Sequence, residues 1–218
     1  MNSIRINKYL AEQGIASRRE ADKLIVAGKI LINGKVAQLG DKVKDSDKVE
    51  SRQLKAESYQ YLAYYKPRGE ETKERYRGST SVNSPRSNLG GLFPIGRLDK
   101  DSEGLLLITN DGRLTGQVIG SETKYEKEYV VTVDKKIAGI DLKRMTEGMK
   151  IEDEETKPAQ TRKINDTVFK IILTEGKKHQ IRRMCVALGY QVQELKRIRI
   201  GKIHLGQQTP GTFRRITL

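Results

Sequence analysis

Four apolar residues in a row, Leu105-Leu106-Leu107-Ile108, follow directly on the segment Gly96-Arg97-Leu98-Asp99-Lys100-Asp101-Ser102-Glu103-Gly104. A short apolar run bounded by glycine and by a turn pair such as Asp111-Gly112 reads as a buried strand. It calls for a sheet to bury it and places a polar turn at its entrance. Asp99, Asp101 and Glu103 all fall in that turn. A carboxylate there can be desolvated by its neighbours, and desolvation together with charge partners tunes a catalytic acid. Spacing alone leaves two other readings open. Charge runs are commonly solvated surface. The turn also mimics a calcium loop, with Asp99, Asp101 and Glu103 at the first, third and fifth positions and Gly104 at the sixth. However, the twelfth position, normally a bidentate Glu, is Asn110, and the segment enters a strand rather than a helix.

The chain before this strand divides early. Ile6, Tyr9 and Leu10 share one helix face, and Gly14 stops that helix. Ser17-Arg18-Arg19-Glu20 fits a capping box, so a second helix runs through Ala21, Leu24 and Ile25 to Gly28. Asn33-Gly34 between Ile30-Leu31-Ile32 and Lys35-Val36 is a hairpin turn. Residues 1–52 are therefore expected to form a small module of two helices and a hairpin, followed by a polar linker over 53–60 and a larger domain over 61–218. In that domain strands are expected over 61–65, 129–133, 168–174, 192–200, 202–205 and 213–216. Lys66-Pro67-Arg68-Gly69 breaks the first of these, and 70–88 reads as a long loop. Helices are expected over 114–119, 140–145 and through Ile181, Met184, Cys185 and Leu188, the last capped by Gly189. The acidic stretch 151–157 reads as loop. Strands outnumber helices.

Charge narrows the partner. The 218 residues carry 42 basic and 28 acidic side chains, a net charge of +14, and such a balance points to a polyanion. Residues 170–218 hold 11 of the basic side chains against 2 acidic ones, so this segment is the expected phosphate-contacting surface. No amphipathic basic helix ends the chain, which favours nucleic acid over a membrane. No run of 18 apolar residues occurs, and Met1-Asn2-Ser3-Ile4-Arg5 lacks the apolar core of a signal peptide. A single cysteine, Cys185, excludes an intrachain disulfide and suits a reducing cytoplasm. With only His179 and His204 beside it, no structural zinc site is expected.

"GRLDKDSEGLLLITNDG" resembles the active-site motif of the RsuA-type pseudouridine synthases, which modify ribosomal RNA. The resemblance implies that Asp99 is the catalytic carboxylate and that Arg97 helps hold a flipped nucleotide. "KYEKEYVVTV" resembles the family's second segment and assigns its tyrosine to Tyr129, with Lys127 beside it on the substrate side. "LTEGKKHQIRRM" resembles the third. It assigns to Arg182 the arginine that pairs with the catalytic aspartate, and Arg183, about 100° further round the helix, is left to face phosphate. His179 stands where many members have Arg. It has no acidic neighbour in sequence and opens a helix, where the dipole disfavours protonation, so it is set aside as a general base. "KPRG" matches a first motif, although Glu70 and Glu71 follow where apolar residues are usual. "RINKYLAEQGIASRREADKLIVAGKILINGK" resembles the small RNA-binding domain named after ribosomal protein S-four, with Arg18, Arg19 and Lys23 toward RNA.

The resemblance covers nearly the whole chain and implies an α+β protein, its larger domain built on a mixed, mainly antiparallel sheet. It implies isomerisation of uridine to pseudouridine in RNA, with segments leaning toward the members that act on 23S rRNA; 16S rRNA and tRNA stay open. The chemistry it implies uses no metal, redox group or nucleotide cofactor, and the expected protein is a cytoplasmic monomer. Two other classes compete. A non-catalytic ribosome-assembly protein would not need Asp99, and a nucleosidase would release free uracil.

Overall fold

A computed structural model describes residues 3–13, 15–51, 59–72, 92–112, 114 and 125–217. The expected stop at Gly14, most of the linker, the loop beyond residue 72 and the expected helix over 115–119 lie outside these residues. The chain forms two compact units, Met1–Gln60 with Asn110–Thr115, and Tyr61–Thr109 with Gly116–Leu218.

In the first unit β1 (Ile4–Arg5) leads into α1 (Ile6–Glu12), and α2 (Arg18–Val26) follows. Ser17 accepts the Glu20 backbone N–H while the Glu20 carboxylate accepts the Ser17 N–H, the reciprocal box expected from the sequence. Then come β2 (Ile30–Ile32), β3 (Lys35–Val36), β4 (Lys42–Val43) and β5 (Val49–Ser51). β2 pairs with β3 and β5, and β1 with β4. Asn33 and Gly34 both take positive φ, 50° and 79°, which the two-residue turn between β2 and β3 requires. Ile6, Leu10, Ala21, Ile25, Ile30 and Val43 close the core. Each buried Ile or Leu contributes about 1.5–3 kcal/mol of transfer free energy. Arg18, Arg19 and Lys23 stay on the exposed side of α2.

Among the described residues the second unit is built on one large sheet, with two helices, Gly139–Glu147 and Gln180–Ala187, packed on it. Its strands are β6 (Tyr61–Lys66), β7 (Phe93–Ile95), β8 (Glu103–Thr109), β9 (Lys127–Val133), β12 (Gln160–Lys163), β13 (Val168–Leu173), β14 (Val192–Ile200), β15 (Ile203–His204) and β16 (Phe213–Arg215). The sheet order is β12-β13-β9-β14-β8-β6-β16, with β7 on β8 and β15 on β14. The β14–β8 pairing is parallel and the others are antiparallel. β6 and β8 are covered on both faces and β13 alternates, as period-two burial dictates. α3 (Gly139–Glu147) and α4 (Gln180–Ala187) supply Leu142, Met145, Ile181, Met184 and Cys185 to the core over β9, β13 and β14. A second cluster joins Leu62, Tyr64, Leu92, Leu98, Leu106 and Ile108, and Tyr129 packs against both.

In the second unit a hairpin and two further strands depart from the sequence expectation, and in the first unit β1, β4 and β5 add to the expected hairpin. The stretch expected as loop over 151–157 carries a small hairpin, β10 (Lys150–Ile151) with β11 (Glu154–Glu155). Glu152 turns it at φ 54°, and Arg183 holds Glu152 and Glu154. β12 has no alternating apolar face to announce it; it forms through its backbone ladder on β13. β7 was unannounced because Phe93-Pro94-Ile95 is short and contains proline.

Candidate active site

Asp99 sits in the turn between β7 and β8, where almost every backbone acceptor has a donor. The Arg97 carbonyl accepts from Arg197 Nη1 at 3.3 Å and the Leu98 carbonyl from Thr72 Oγ1 at 2.7 Å. The Asp99 carbonyl accepts the Ser102 N–H. The Lys100 carbonyl accepts the Gly69 N–H at 2.8 Å and Lys66 Nζ at 3.4 Å, and the Asp101 carbonyl accepts from Arg182 Nη2 at 3.0 Å. Three of the six donors are cations, so positive charge gathers behind the turn while the Asp99 carboxylate stays 39% exposed. The side chain that faces it among the described residues is His179, with Nε2 3.3 Å from Oδ1.

The other carboxylates of the turn have separate uses. Glu103 accepts the Tyr65 hydroxyl at 2.9 Å and lies 3.8 Å from Lys196 Nζ, which sits over the Tyr65 ring. Asp101 points to solvent. Among the described residues no group of three His, Cys, Asp or Glu side chains converges to hold a metal.

The segment before α4 aims His179 and Arg182. Glu175 and Gln180 are buried and bonded to each other at 2.6 Å, and Gln180 Oε1 accepts the Lys177 N–H. His179 takes a left-handed backbone, φ 52°, at the N-cap of α4. Such a conformation in a non-glycine residue costs about 1–3 kcal/mol and gathers at functional positions. His179 has no acidic neighbour along the chain, but the fold brings Asp99 to it.

Arg182 does not take the direct pairing with Asp99 that the resemblance assigned to it. Its guanidinium donates to the Asp101 carbonyl, to Ser102 Oγ at 3.4 Å and to the Val192 carbonyl at 3.3 Å. It therefore acts on the turn that carries Asp99. Arg183 faces elsewhere, as a 100° rotation requires, but its fork meets Glu152 at 2.7 Å and Glu154 at 2.9 Å. These carboxylates hold its guanidinium and raise its already high pKa, so the expected phosphate contact is not what occupies it. Arg97 is exposed. Lys127 is 8% exposed and no described carboxylate pairs with it. Burial, then the nearby Arg197 charge, hold its amine below the ordinary lysine range. Tyr129 lies opposite Arg197 in the β9–β14 ladder, and Arg197 lies opposite Gly104 at the start of β8. Side chains of paired residues share a face, which puts the Tyr129 ring on the side where Arg197 reaches the turn. Cys185 is no nucleophile, because burial pushes its thiol up to about 12.

Sequence reasoning missed Lys66, Thr72 and Arg197. Lys66 is fully buried and donates to the carbonyls of Pro67, Glu70 and Lys100. Arg197 occupies an inward position two residues after buried Leu195. A basic residue on the apolar side of an alternating strand was the available signal.

The basic segment 170–218 is also less available than its charge suggests. Lys170 pairs with Glu128, Arg199 with Glu126 and Glu128, and Arg183 with the hairpin. Arg182 and Arg197 serve backbone carbonyls, and Arg214 binds Gln208 and the His204 carbonyl. Lys177, Lys178, Lys202 and Arg215 remain without an ion pair among the described residues.

An accessible carboxylate on a turn whose carbonyls are held by basic donors, in a sheet that follows a small unit with an exposed basic helix, suits a protein that acts on RNA. A family model described as RNA pseudouridylate synthase matches residues 60–187, and one described as S4 domain matches residues 4–49. The chain belongs to the RNA pseudouridylate synthase family, whose members isomerise uridine in RNA to pseudouridine. It is 41% identical to the dual-specificity RNA pseudouridine synthase RluF of Escherichia coli, over 99% of this chain and 76% of that protein. It is 35% identical to the ribosomal large subunit pseudouridine synthase B of Bacillus subtilis, over 98% of this chain and 92% of that protein. A crystal structure of a pseudouridylate synthase superposes with a TM-score of 0.70 at 29% identity, covering 98% of this chain and 96% of the other.

Proposed function

We propose that this protein converts uridine to pseudouridine in 23S rRNA, with Asp99 as the catalytic carboxylate and Tyr129 and Arg182 completing the centre. The observation that carries the reading is the Asp99 turn. Its carbonyls are held by Lys66, Thr72, Arg182 and Arg197, while the carboxylate itself remains accessible. The large-subunit role of the Bacillus subtilis relative supports the choice of 23S rRNA. The dual specificity of the Escherichia coli relative favours a second RNA class in the same test.

The reaction breaks the bond from ribose carbon 1′ to N1 of uracil, rotates the base and forms a bond from carbon 1′ to carbon 5. The proton on carbon 5 is then lost and N1 gains one, so mass is unchanged. A base inside an RNA helix must first leave the stack. Arg97, exposed beside the turn, holds the extruded nucleotide, and the Tyr129 ring stacks on the uracil. Asp99 acts at the ribose, at carbon 1′ or 2′. Arg182 keeps Asp99 oriented through the Asp101 carbonyl and Ser102. Lys127 lies under this face of the sheet as a buried cation. Arg18, Arg19 and Lys23 bind RNA from a module spanning 1–52, joined by a linker over 53–60 to a catalytic domain over 61–218. The protein works as a monomer in the cytoplasm.

Nucleoside analysis of 23S, 16S and tRNA transcripts after incubation tests this reading. Pseudouridine in 23S RNA with no free uracil is the expected result. Free uracil with abasic RNA would make the protein a nucleosidase, and tight binding without a product would make it an assembly factor.

A further inference from the structure

Arg197 is 3% exposed and pairs with no carboxylate among the described residues. Its Nε donates to the Leu105 carbonyl at 2.7 Å and its Nη1 to the Arg97 carbonyl at 3.3 Å, while Nη2 is enclosed with no acceptor among the described residues. A second buried cation, Lys127, is near enough for the two charges to disfavour each other. As a stabilising element this arrangement is poor. A buried donor left without an acceptor destabilises the fold, and replacing buried charges by apolar residues of similar volume is often neutral or stabilising.

What the guanidinium provides is geometry. Arg97 and Leu105 flank the segment that carries Asp99. A planar fork holds two carbonyls at a fixed separation, which a lysine amine does not do. The backbone adds a second tether at the same place. Gly104 has φ +107°, and a Cβ there would meet the Arg197 carbonyl oxygen at 2.3 Å. β8 therefore passes the Arg197 backbone at a separation that only glycine allows, within the parallel pairing of Glu103 and Gly104 with Lys196 and Arg197. Side chain and backbone of one residue thus fix the turn at both of its ends.

We propose that Arg197 is a positioning residue for the isomerisation, holding the Asp99 carboxylate in register with the ribose by spanning the two ends of its turn. The inference rests on the reading of Asp99 as the catalytic carboxylate. A displacement of about 1 Å at a reacting group lowers rate on the order of a hundredfold, and loosening the turn at both ends is expected to move Asp99 on that scale.

The test uses the full chain with Arg197→Met and Arg197→Lys, and Asp99→Asn as reference. Single-turnover tritium release from saturating 23S RNA labelled at carbon 5 of uridine is measured beside RNA affinity and thermal melting. Arg197→Met is expected to melt cooperatively, bind RNA with native affinity and react about a hundredfold more slowly. Arg197→Lys is expected to recover part of that rate, since it keeps the charge but reaches one carbonyl. A native rate in Arg197→Met overturns the proposal, as does a rate lost only in proportion to RNA affinity. Should Arg197→Met not melt cooperatively, Arg197→Lys decides: a native rate overturns the proposal, and a slow rate at native affinity and stability supports it. Native release from Asp99→Asn would instead remove the reading of Asp99, and the positioning role with it.

Discussion

Glu128 shows how a single side chain here ties charge to stability. It lies on β9, and its carboxylate meets Arg199 Nε at 2.8 Å and Lys170 Nζ at 3.0 Å. Burial pushes its pKa up, but the hydrogen bonds from Arg199 and Lys170 outweigh burial and hold it below the ordinary value of 4.5. A group whose folded pKa is depressed stabilises the fold above its unfolded value, and that stability is lost as pH falls through the folded value. Glu128→Gln is therefore expected to flatten the loss of stability below pH 4.5. At neutral pH it should cost about 3 kcal/mol, because Arg199 keeps only Glu126 and Lys170 loses its partner. Urea midpoints at neutral and acid pH check both effects. None of this was legible in the sequence. Glu126, Glu128, Lys170 and Arg199 look like scattered surface charges until strand pairing makes them neighbours. The same holds for Asp99 and His179, 3.3 Å apart in the fold.

At the scale of the element, local physics carried the sequence reading wherever it was self-sufficient. The Ser17–Glu20 box and the Asn33-Gly34 turn act over three or four residues, and each appears where the sequence places it. The apolar run of β8 is buried on both faces as expected. What was not legible depends on a partner strand, as in β12 and the β10–β11 hairpin. The close passage of β8 and β14 is of this kind too. Gly104→Ala places a Cβ 2.3 Å from a backbone oxygen at a φ of +107°. It is expected to destabilise the second unit by about 3 kcal/mol or more and to slow catalysis beyond what lost stability explains. Denaturant midpoints beside turnover of the folded fraction check this. A variant with native stability would mean that β8 and β14 can part without cost.

For the whole molecule the question is where RNA meets the chain. Net charge indicated a polyanion, but not which cations are free to meet it, because that depends on internal pairing across the sheet. Exposed or half-buried cations without an ion pair among the described residues include Arg18, Arg19 and Lys23 on α2, Arg97 beside the turn, and Lys177, Lys178, Lys202 and Arg215 in the second unit. Binding to an rRNA fragment should weaken linearly with log salt, and each phosphate contact removed should reduce the slope by about 0.7–0.9. Lys177→Ala with Lys178→Ala is expected to lower the slope by about 1–2, whereas Lys170→Ala leaves it unchanged. A slope indifferent to Lys177 and Lys178 would move the RNA path away from the Asp99 turn. Removing residues 1–52 is expected to weaken RNA binding while the remainder still melts cooperatively. A remainder with no cooperative transition would contradict the proposed boundary. Of the candidate site, family resemblance supplied Asp99, Tyr129 and Arg182. The devices that hold the Asp99 turn, Lys66, Thr72 and Arg197, became visible only when its carbonyls were traced to their donors.

In the proposed function Asp99 performs the isomerisation. Tritium release from 23S transcripts carrying uridine labelled at carbon 5, compared between the native protein and Asp99→Asn, tests it most directly. Asn keeps the shape of the side chain and leaves the backbone donors of the turn in place, so folding and RNA affinity should be native. Release by the native protein with none from Asp99→Asn is the predicted result. Equal release from both would contradict the account and place the chemistry on another residue.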